Sequence, residues 1–216
     1  GAGTIAEDET EDKDWINNWK QYFKPIRVGE KLLIRPAWID DYDADGRAVL
    51  TLEPGVAFGT GTHETTRLCM ESLEKHVFAG CEMLDVGCGS GILSVAGMLL
   101  GAGSVTGVDI DRLAVKVAVE NGKMNGFSAP EFNMLHGDLT DKISGKYDVV
   151  TANIVADAII KLTPAIKAFL KEGAVYIVSG IIDTRENDVL PVLEENGFTV
   201  TERRTEAGWV CLTCKM

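Results

Sequence analysis

The run Asp85-Val-Gly-Cys-Gly-Ser-Gly91 constrains this chain more than any other stretch, because an apolar segment (Met83, Leu84) leads into it and an apolar run of helical character follows. Glycine at alternate positions lets the backbone turn sharply and approach a ligand with no Cβ in the way. An acidic strand end comes next, at Asp109 in Gly-Val-Asp-Ile-Asp, 22 residues beyond Gly87. Strand, glycine turn, helix, second strand and terminal carboxylate make half of a doubly wound nucleotide site. The carboxylate suits the two hydroxyls of a ribose. A dinucleotide fingerprint needs its third glycine at position 92, which is Ile92 here. That departure, with an acid two residues before the first glycine, favours S-adenosylmethionine over a cofactor held by its pyrophosphate.

With 216 residues and 45% hydrophobic content, the chain can bury a full core and reads as one domain plus an extension. A formal charge of −12 argues against general affinity for DNA or RNA, which rests on phosphate neutralisation by Lys and Arg. It is compatible with a basic protein substrate. No apolar run is long enough to span a bilayer and no signal-peptide pattern opens the chain, so a cytoplasmic enzyme is expected. Cys69, Cys81, Cys88, Cys211 and Cys214 are odd in number and scattered, as in a reducing compartment. Cys211-Leu-Thr-Cys214 has redox and metal spacing. In a strand, however, residues three apart point to opposite faces, and His63, His76 and His136 are far apart, so no metal site is expected.

Residues 1–14 read as an acidic linker (Glu7, Asp8, Glu9, Glu11, Asp12, Asp14), with Gly1-Ala2-Gly3 reading as an expression remnant. Residues 15–55 carry an aromatic helix, with Trp15, Trp19, Tyr22 and Phe23 on one stripe before Pro25. A small β-rich extension follows at 27–38 and 47–52, with an Asp/Gly turn between. Residues 56–216 alternate strand and helix. Strands are expected at 83–86, 105–109, 132–136, 149–153 and 174–179, and helices at 64–77, 91–100, 112–124, 157–170 and 184–196. Pro164 interrupts the fourth helix, where a break with Thr163 as cap is expected. Segments 198–205 and 209–214 read as a closing antiparallel hairpin. This pattern predicts an α/β fold, the seven-stranded, doubly wound, Rossmann-like class I methyltransferase sheet, with a C-terminal hairpin and a small N-terminal β-rich extension.

In such sheets the ligand lies beyond the carboxyl ends of the strands. There the chain carries Gly87, Gly89 and Gly91, then Asp109, then Asp138 and finally Asn153. A carboxylate at the end of a buried strand is costly unless paired, and ribose hydroxyls would pair Asp109. Asp138 follows its strand where such enzymes hold the adenine amino group; a turn aspartate after glycine is the alternative. Ahead of the core, Glu53-Pro-Gly-Val-Ala-Phe-Gly-Thr-Gly-Thr-His-Glu-Thr-Thr66 offers three glycines, four threonines, Phe58 and His63 in a loop entering a helix.

This loop, the glycine turn, Gly-Val-Asp-Ile-Asp and Ala-Asn-Ile-Val-Ala at 152–156 together resemble the bacterial methyltransferases of the eleventh large-subunit ribosomal protein. The loop is the most specific of these motifs, and the likeness runs from Trp15 to the C-terminus. The resemblance implies methyl transfer from S-adenosylmethionine, with S-adenosylhomocysteine as product, to lysine ε-amino and N-terminal α-amino groups of that ribosomal protein. Carried over by position, it implies that Thr66, Gly87, Asp109 and Asn153 bind cofactor; the strand-end reading adds Gly89 and Asp138, and the chemistry of a neutral amine gives Asn153 a catalytic, orienting role as well. Val155 stands where the family usually has leucine. The resemblance further implies an N-terminal domain that grips the protein substrate; the chain as given opens at the linker, so it is expected to bind cofactor and to engage that substrate poorly. His63 is a minor candidate for relaying a proton.

Other readings make different demands. Methyltransferases of exocyclic base nitrogens and glutamine amides place Asn or Asp, two prolines and an aromatic at the fourth strand, unlike Asn153-Ile-Val-Ala156. A nicotinamide dehydrogenase needs the absent third glycine. A small-molecule amine methyltransferase of the same fold is the runner-up, and a module that kept its cofactor pocket without catalysis is the non-enzymatic alternative.

Overall fold

Short, nearly continuous apolar runs bounded by glycine and polar turns become parallel strands when helices cover both faces of a sheet. In the computed structural model, which describes residues 24–53 and 63–216, these runs are β4 (Glu82–Val86), β5 (Ser104–Asp109), β6 (Phe132–His136), β7 (Tyr147–Asn153) and β8 (Leu170–Ile182). Between and around them lie α1 (Glu64–His76), α2 (Ile92–Leu99), α3 (Arg112–Met124), α4 (Ala156–Ile166) and α5 (Glu186–Glu195). The chain closes with β9 (Thr199–Glu206) and β10 (Trp209–Lys215). The seven strands stand in the order β6-β5-β4-β7-β8-β10-β9. All neighbours pair in parallel except β10, which runs antiparallel to both β8 and β9.

Strand order reverses between β4 and β7: the chain winds outward through β5 and β6, then returns to the other side. A crevice opens at such a switch point beyond the carboxyl ends of the strands. Alternation along each strand feeds two apolar layers. Met83, Val105 and Ile177 face Met70 and Leu73 of α1 and Leu93 of α2. Leu84, Val86, Val150 and Val178 face Ile159, Leu162, Val189 and Leu193 of α4 and α5.

The β-rich extension is a second sheet of β1 (Ile26–Val28), β2 (Leu32–Pro36) and β3 (Ala48–Leu52). The Asp45-Gly46 turn does lie between its halves, yet β2 and β3 pair in parallel. Val28, Leu32, Ile34, Leu50 and Leu52 join the same apolar layer as α1 and α2.

The expected break at Thr163-Pro164 is corrected. Helix α4 runs through Pro164 to Ile166 and passes into a 3-10 turn, Lys167–Phe169. A proline so near the end withholds a single donor, and the Thr163 hydroxyl donates to the Ile159 carbonyl at 2.8 Å one turn earlier. The expected aromatic helix at 15–23, the acidic linker and most of the Gly/Thr loop, residues 54–62, lie outside the described residues.

Candidate active site

The glycine turn leaves β4 with Gly87, Gly89 and Gly91 all at positive φ (73°, 53° and 76°). Side chains are excluded there by more than φ: a Cβ on Gly87 would stand 2.3 Å from Ile154 Cγ2, and one on Gly91 2.8 Å from Ala118 Cβ. The turn is tied to β5 by the amides of Gly87 and Cys88, which donate to the Val108 carbonyl at 2.8 and 3.0 Å. One residue further, the Gly89 amide donates to Asp109 Oδ2 at 2.8 Å, and the Asp111 amide donates to Oδ1 at 2.9 Å.

This changes the argument for Asp109. Its carboxylate has a backbone partner on each oxygen, so burial by itself does not call for a ribose. What the two amides do is fix the carboxylate's direction at the cavity wall. Lone pairs remain, since an ionised carboxylate has roughly four acceptor sites.

Asp85, beneath the turn, is 1% exposed. Ser94 Oγ donates to its Oδ2 at 2.6 Å and Thr151 Oγ1 to its Oδ1 at 3.0 Å. Burial outweighs both hydrogen bonds and lifts the carboxyl to about 6, with Asp109 adding to the rise. The bonds join α2, β4 and β7 at one point directly below the glycine turn.

At the end of β7, Asn153 Nδ2 donates to Thr66 Oγ1 at 3.5 Å. Thr66 is fully buried in the first turn of α1 and reaches the cavity by way of Asn153, whereas its neighbour Thr65 lines the cavity. His63 caps α1: its Nδ1 accepts from the Thr65 amide at 3.3 Å and lies 2.9 Å from Thr65 Oγ1. Asp138 pairs with Lys161 at 3.2 Å across the loop after β6.

These elements surround a cavity of about 600 Å3 whose lining includes Gly87, Gly89, Asp109, Asp138 and Asn153 together with His63 and Trp209. The structure therefore brings five of the six sequence-derived cofactor positions onto one surface and joins Thr66 to it through an amide. Sequence reasoning missed Trp209, taken there only as the start of a strand, and Gly180, whose φ is +83° and whose Cβ would stand 2.4 Å from the Ile154 carbonyl oxygen. A glycine ending a long apolar strand was the available signal for Gly180; for Trp209 there was none. Cys211 and Cys214 fall in the two opposite apolar layers, as their spacing in a strand requires. Among the described residues, no group of three or more His, Cys, Asp or Glu side chains is arranged to hold a metal ion.

Compared with known proteins, residues 2–216 match the family described as "Ribosomal protein L11 methyltransferase (PrmA)". The ribosomal protein L11 methyltransferase of Clostridium perfringens (strain SM101 / Type A) is 43% identical over 217 aligned residues, covering 100% of this chain and 68% of that protein. The crystal structure of a ribosomal protein L11 methylase from Lactobacillus delbrueckii subsp. bulgaricus superposes with a TM-score of 0.84 at 31% identity, covering 89% of this chain and 98% of that one. A precorrin-6y C5,15-methyltransferase from Geobacter metallireducens shares the fold at TM-score 0.60 and 15% identity, covering 72% of this chain and 90% of that one.

Proposed function

The chain belongs to the ribosomal protein L11 methyltransferase family, and from that premise we propose that it transfers methyl groups from S-adenosylmethionine to the amines of ribosomal protein L11, namely lysine ε-amino and N-terminal α-amino groups. The observation that carries this reading is one cavity lined by the glycine turn, the Asp109 carboxylate and the Asn153 amide at a topological switch point. The fit to the cofactor rests on the missing side chain at Gly87, where a Cβ would collide with Ile154, and on the fixed Asp109 carboxylate beside it. In this reading Asp109 holds the ribose hydroxyls, Gly87 and Gly89 let backbone approach the amino-acid end, and Asp138 meets the adenine. Thr66 and Asn153 close the reactive side.

The cofactor, when bound, supplies a methyl group on a positively charged sulfur, which needs no further activation. The protein's task is position, a dry path and a neutral amine. A lysine of ordinary pKa ~10.4 is neutral in only about one molecule in 2,500 at pH 7, a cost of about 4.6 kcal/mol. One hydrogen bond contributes roughly 0.5–1.5 kcal/mol and cannot supply that. Desolvation in the cavity and the neighbouring positive charge both lower the amine pKa and carry the larger share. Because Asn153 Nδ2 is engaged by Thr66, its Oδ1 is the atom left to accept an amine N–H and aim the lone pair.

Among the described residues no helix is long and apolar enough to cross a membrane, and modification of a ribosomal protein is work for the cytoplasm, where ribosomes are assembled. The test is to incubate the chain with ribosomal protein L11 and isotopically labelled S-adenosylmethionine and to map label by mass spectrometry. Label on lysine or the α-amine is expected. Absence of label on L11, alongside transfer to small amines, would favour a small-molecule enzyme instead.

A further inference from the structure

The floor of the glycine turn is held from outside the seven-stranded sheet. Asn121, on α3, is 1% exposed. Its Nδ2 donates to the Ser90 carbonyl in the turn at 2.8 Å, and its Oδ1 accepts from the Glu53 amide just past β3 at 3.3 Å. One turn later, Asn125 Oδ1 accepts from the Thr51 amide at 2.8 Å and its Nδ2 donates to the Thr51 carbonyl at 2.7 Å. Two asparagines, one within α3 and one at its C-terminal cap, thus grip the end of β3 and the residue after it, and of the two Asn121 also grips the turn.

The Ser90 carbonyl and the Gly91 amide share one peptide plane. The amide donates to the Cys88 carbonyl at 2.8 Å, closing the turn that contains Gly89, and the carbonyl is held by Asn121. A turn with three glycines loses more conformational freedom on ordering than one with side chains at those positions. A clamp on both ends of one peptide removes much of that freedom before a ligand arrives, so less is lost on binding.

We propose that Asn121 is a positioning residue for cofactor binding, fixing the Ser90–Gly91 peptide and so the Gly89 amide that holds Asp109, and that the three-stranded sheet is thereby part of the cofactor site's foundation. This rests on the reading of the cavity as the S-adenosylmethionine site. The test uses the full chain and calorimetric titration with S-adenosylhomocysteine. Asn121→Asp keeps the acceptor for Glu53 and loses the donor to Ser90; Asn125→Asp keeps the acceptor for Thr51 and loses its donors. Both should lower the melting temperature of the free protein. Asn121→Asp should weaken binding by about 5- to 20-fold, the worth of one or two well-made hydrogen bonds, while Asn125→Asp changes it less than about twofold. In turnover, Asn121→Asp should raise the cofactor KM and leave kcat at saturating cofactor nearly unchanged. Asn121→Ser, which carries no buried charge, should behave in the same way and serves if the aspartate variant does not fold. Equal effects on affinity from both positions, or none from either, overturn the proposal. No binding to the parent chain overturns the reading of the cavity itself, and the proposal with it.

Discussion

The His63 ring meets the Trp209 indole edge to face, with ring centroids 4.9 Å apart and planes at 67°. His63 caps the first helix of the core and Trp209 opens the last strand, so the two ends of the described core are joined at the cavity wall. Arg67, one turn along α1, pairs with Glu206 beside the same hairpin end. An aromatic pair of this geometry contributes roughly 0.5–1.5 kcal/mol beyond its buried area.

Of the two tryptophans among the described residues, Trp38 and Trp209, Trp209 lines the cavity. Adding S-adenosylhomocysteine should therefore change the intrinsic fluorescence, and Trp209→Phe should remove most of that change while keeping the ring contact with His63. If the full signal survives in the variant, the reporter is an indole other than Trp209.

Asp109→Ala should weaken cofactor binding by about 10- to 100-fold, equivalent to roughly 1.5–3 kcal/mol for a charged hydrogen-bond acceptor. The loss has two sources, the contact with the ribose and the anchor of the Gly89 amide. Calorimetry on a variant whose melting curve stays cooperative is the measurement. Unchanged affinity would sink the ribose assignment.

Asn153→Ala should lower kcat by about 10- to 100-fold, with a smaller effect on cofactor affinity, because an orienting contact acts mainly in the transition state. Thr66→Val removes the oxygen that engages Asn153 Nδ2 and should reproduce part of the loss at a distance from the substrate. Asn153→Asp is the contrast: a carboxylate favours the ammonium form and should move the pH-rate profile upward. Wild-type rates in all three would remove Asn153 from the site.

Asp85 gives stability a distinctive pH slope. Its folded-state carboxyl is raised from 3.8 to about 6, so the folded protein binds the proton more tightly than the unfolded chain does. Its contribution is fully present below about pH 4 and is lost as pH rises to 6, a fall of about 3 kcal/mol. Other groups slope the opposite way. Arg203 holds Glu186 low and Lys75 holds Glu202 low, so their stabilisation is lost as pH falls below the ordinary carboxylate range. Burial lowers His76, so its contribution grows as pH rises toward 6.5. Comparing urea unfolding of the parent and Asp85→Asn from pH 4.5 to 7.5 cancels those terms. The difference between the two proteins should shift in favour of the variant as pH rises from 4.5 to about 6 and level off above that, and a flat difference throughout would mean that Asp85 ionises normally.

The strands are legible because buried parallel strands declare themselves as apolar runs: the spacing alone bounds β6 and α3, and it places Asp109 and Asn153 at strand ends, where the structure has them. What failed was local or long-range in specific ways. Pro164 was read as a break because a pattern of side chains does not reveal the Thr163 hydroxyl that bonds the Ile159 carbonyl. Asp109 was credited with one missing partner because amide donors from Gly89 and Asp111 leave no trace in composition. Trp209 comes to the cavity through the pairing of β10 with β8 and Gly180 through the pairing of β8 with β7, contacts between distant segments that no periodicity announces.

The antiparallel strand β10 lies inside the sheet, between β8 and β9, and its first residue, Trp209, lines the cavity. A ribosome making this chain releases β9 before β10, yet β9 has no seat in the sheet until β10 has filled the gap beside β8. Early emergence of the glycine turn, Asp109 and Asn153 therefore gives a half-built pocket with an open flank. The wall that carries Trp209 is completed only after β10 has left the exit tunnel, so the flank of the pocket closes well after its glycine turn, Asp109 and Asn153 have been made.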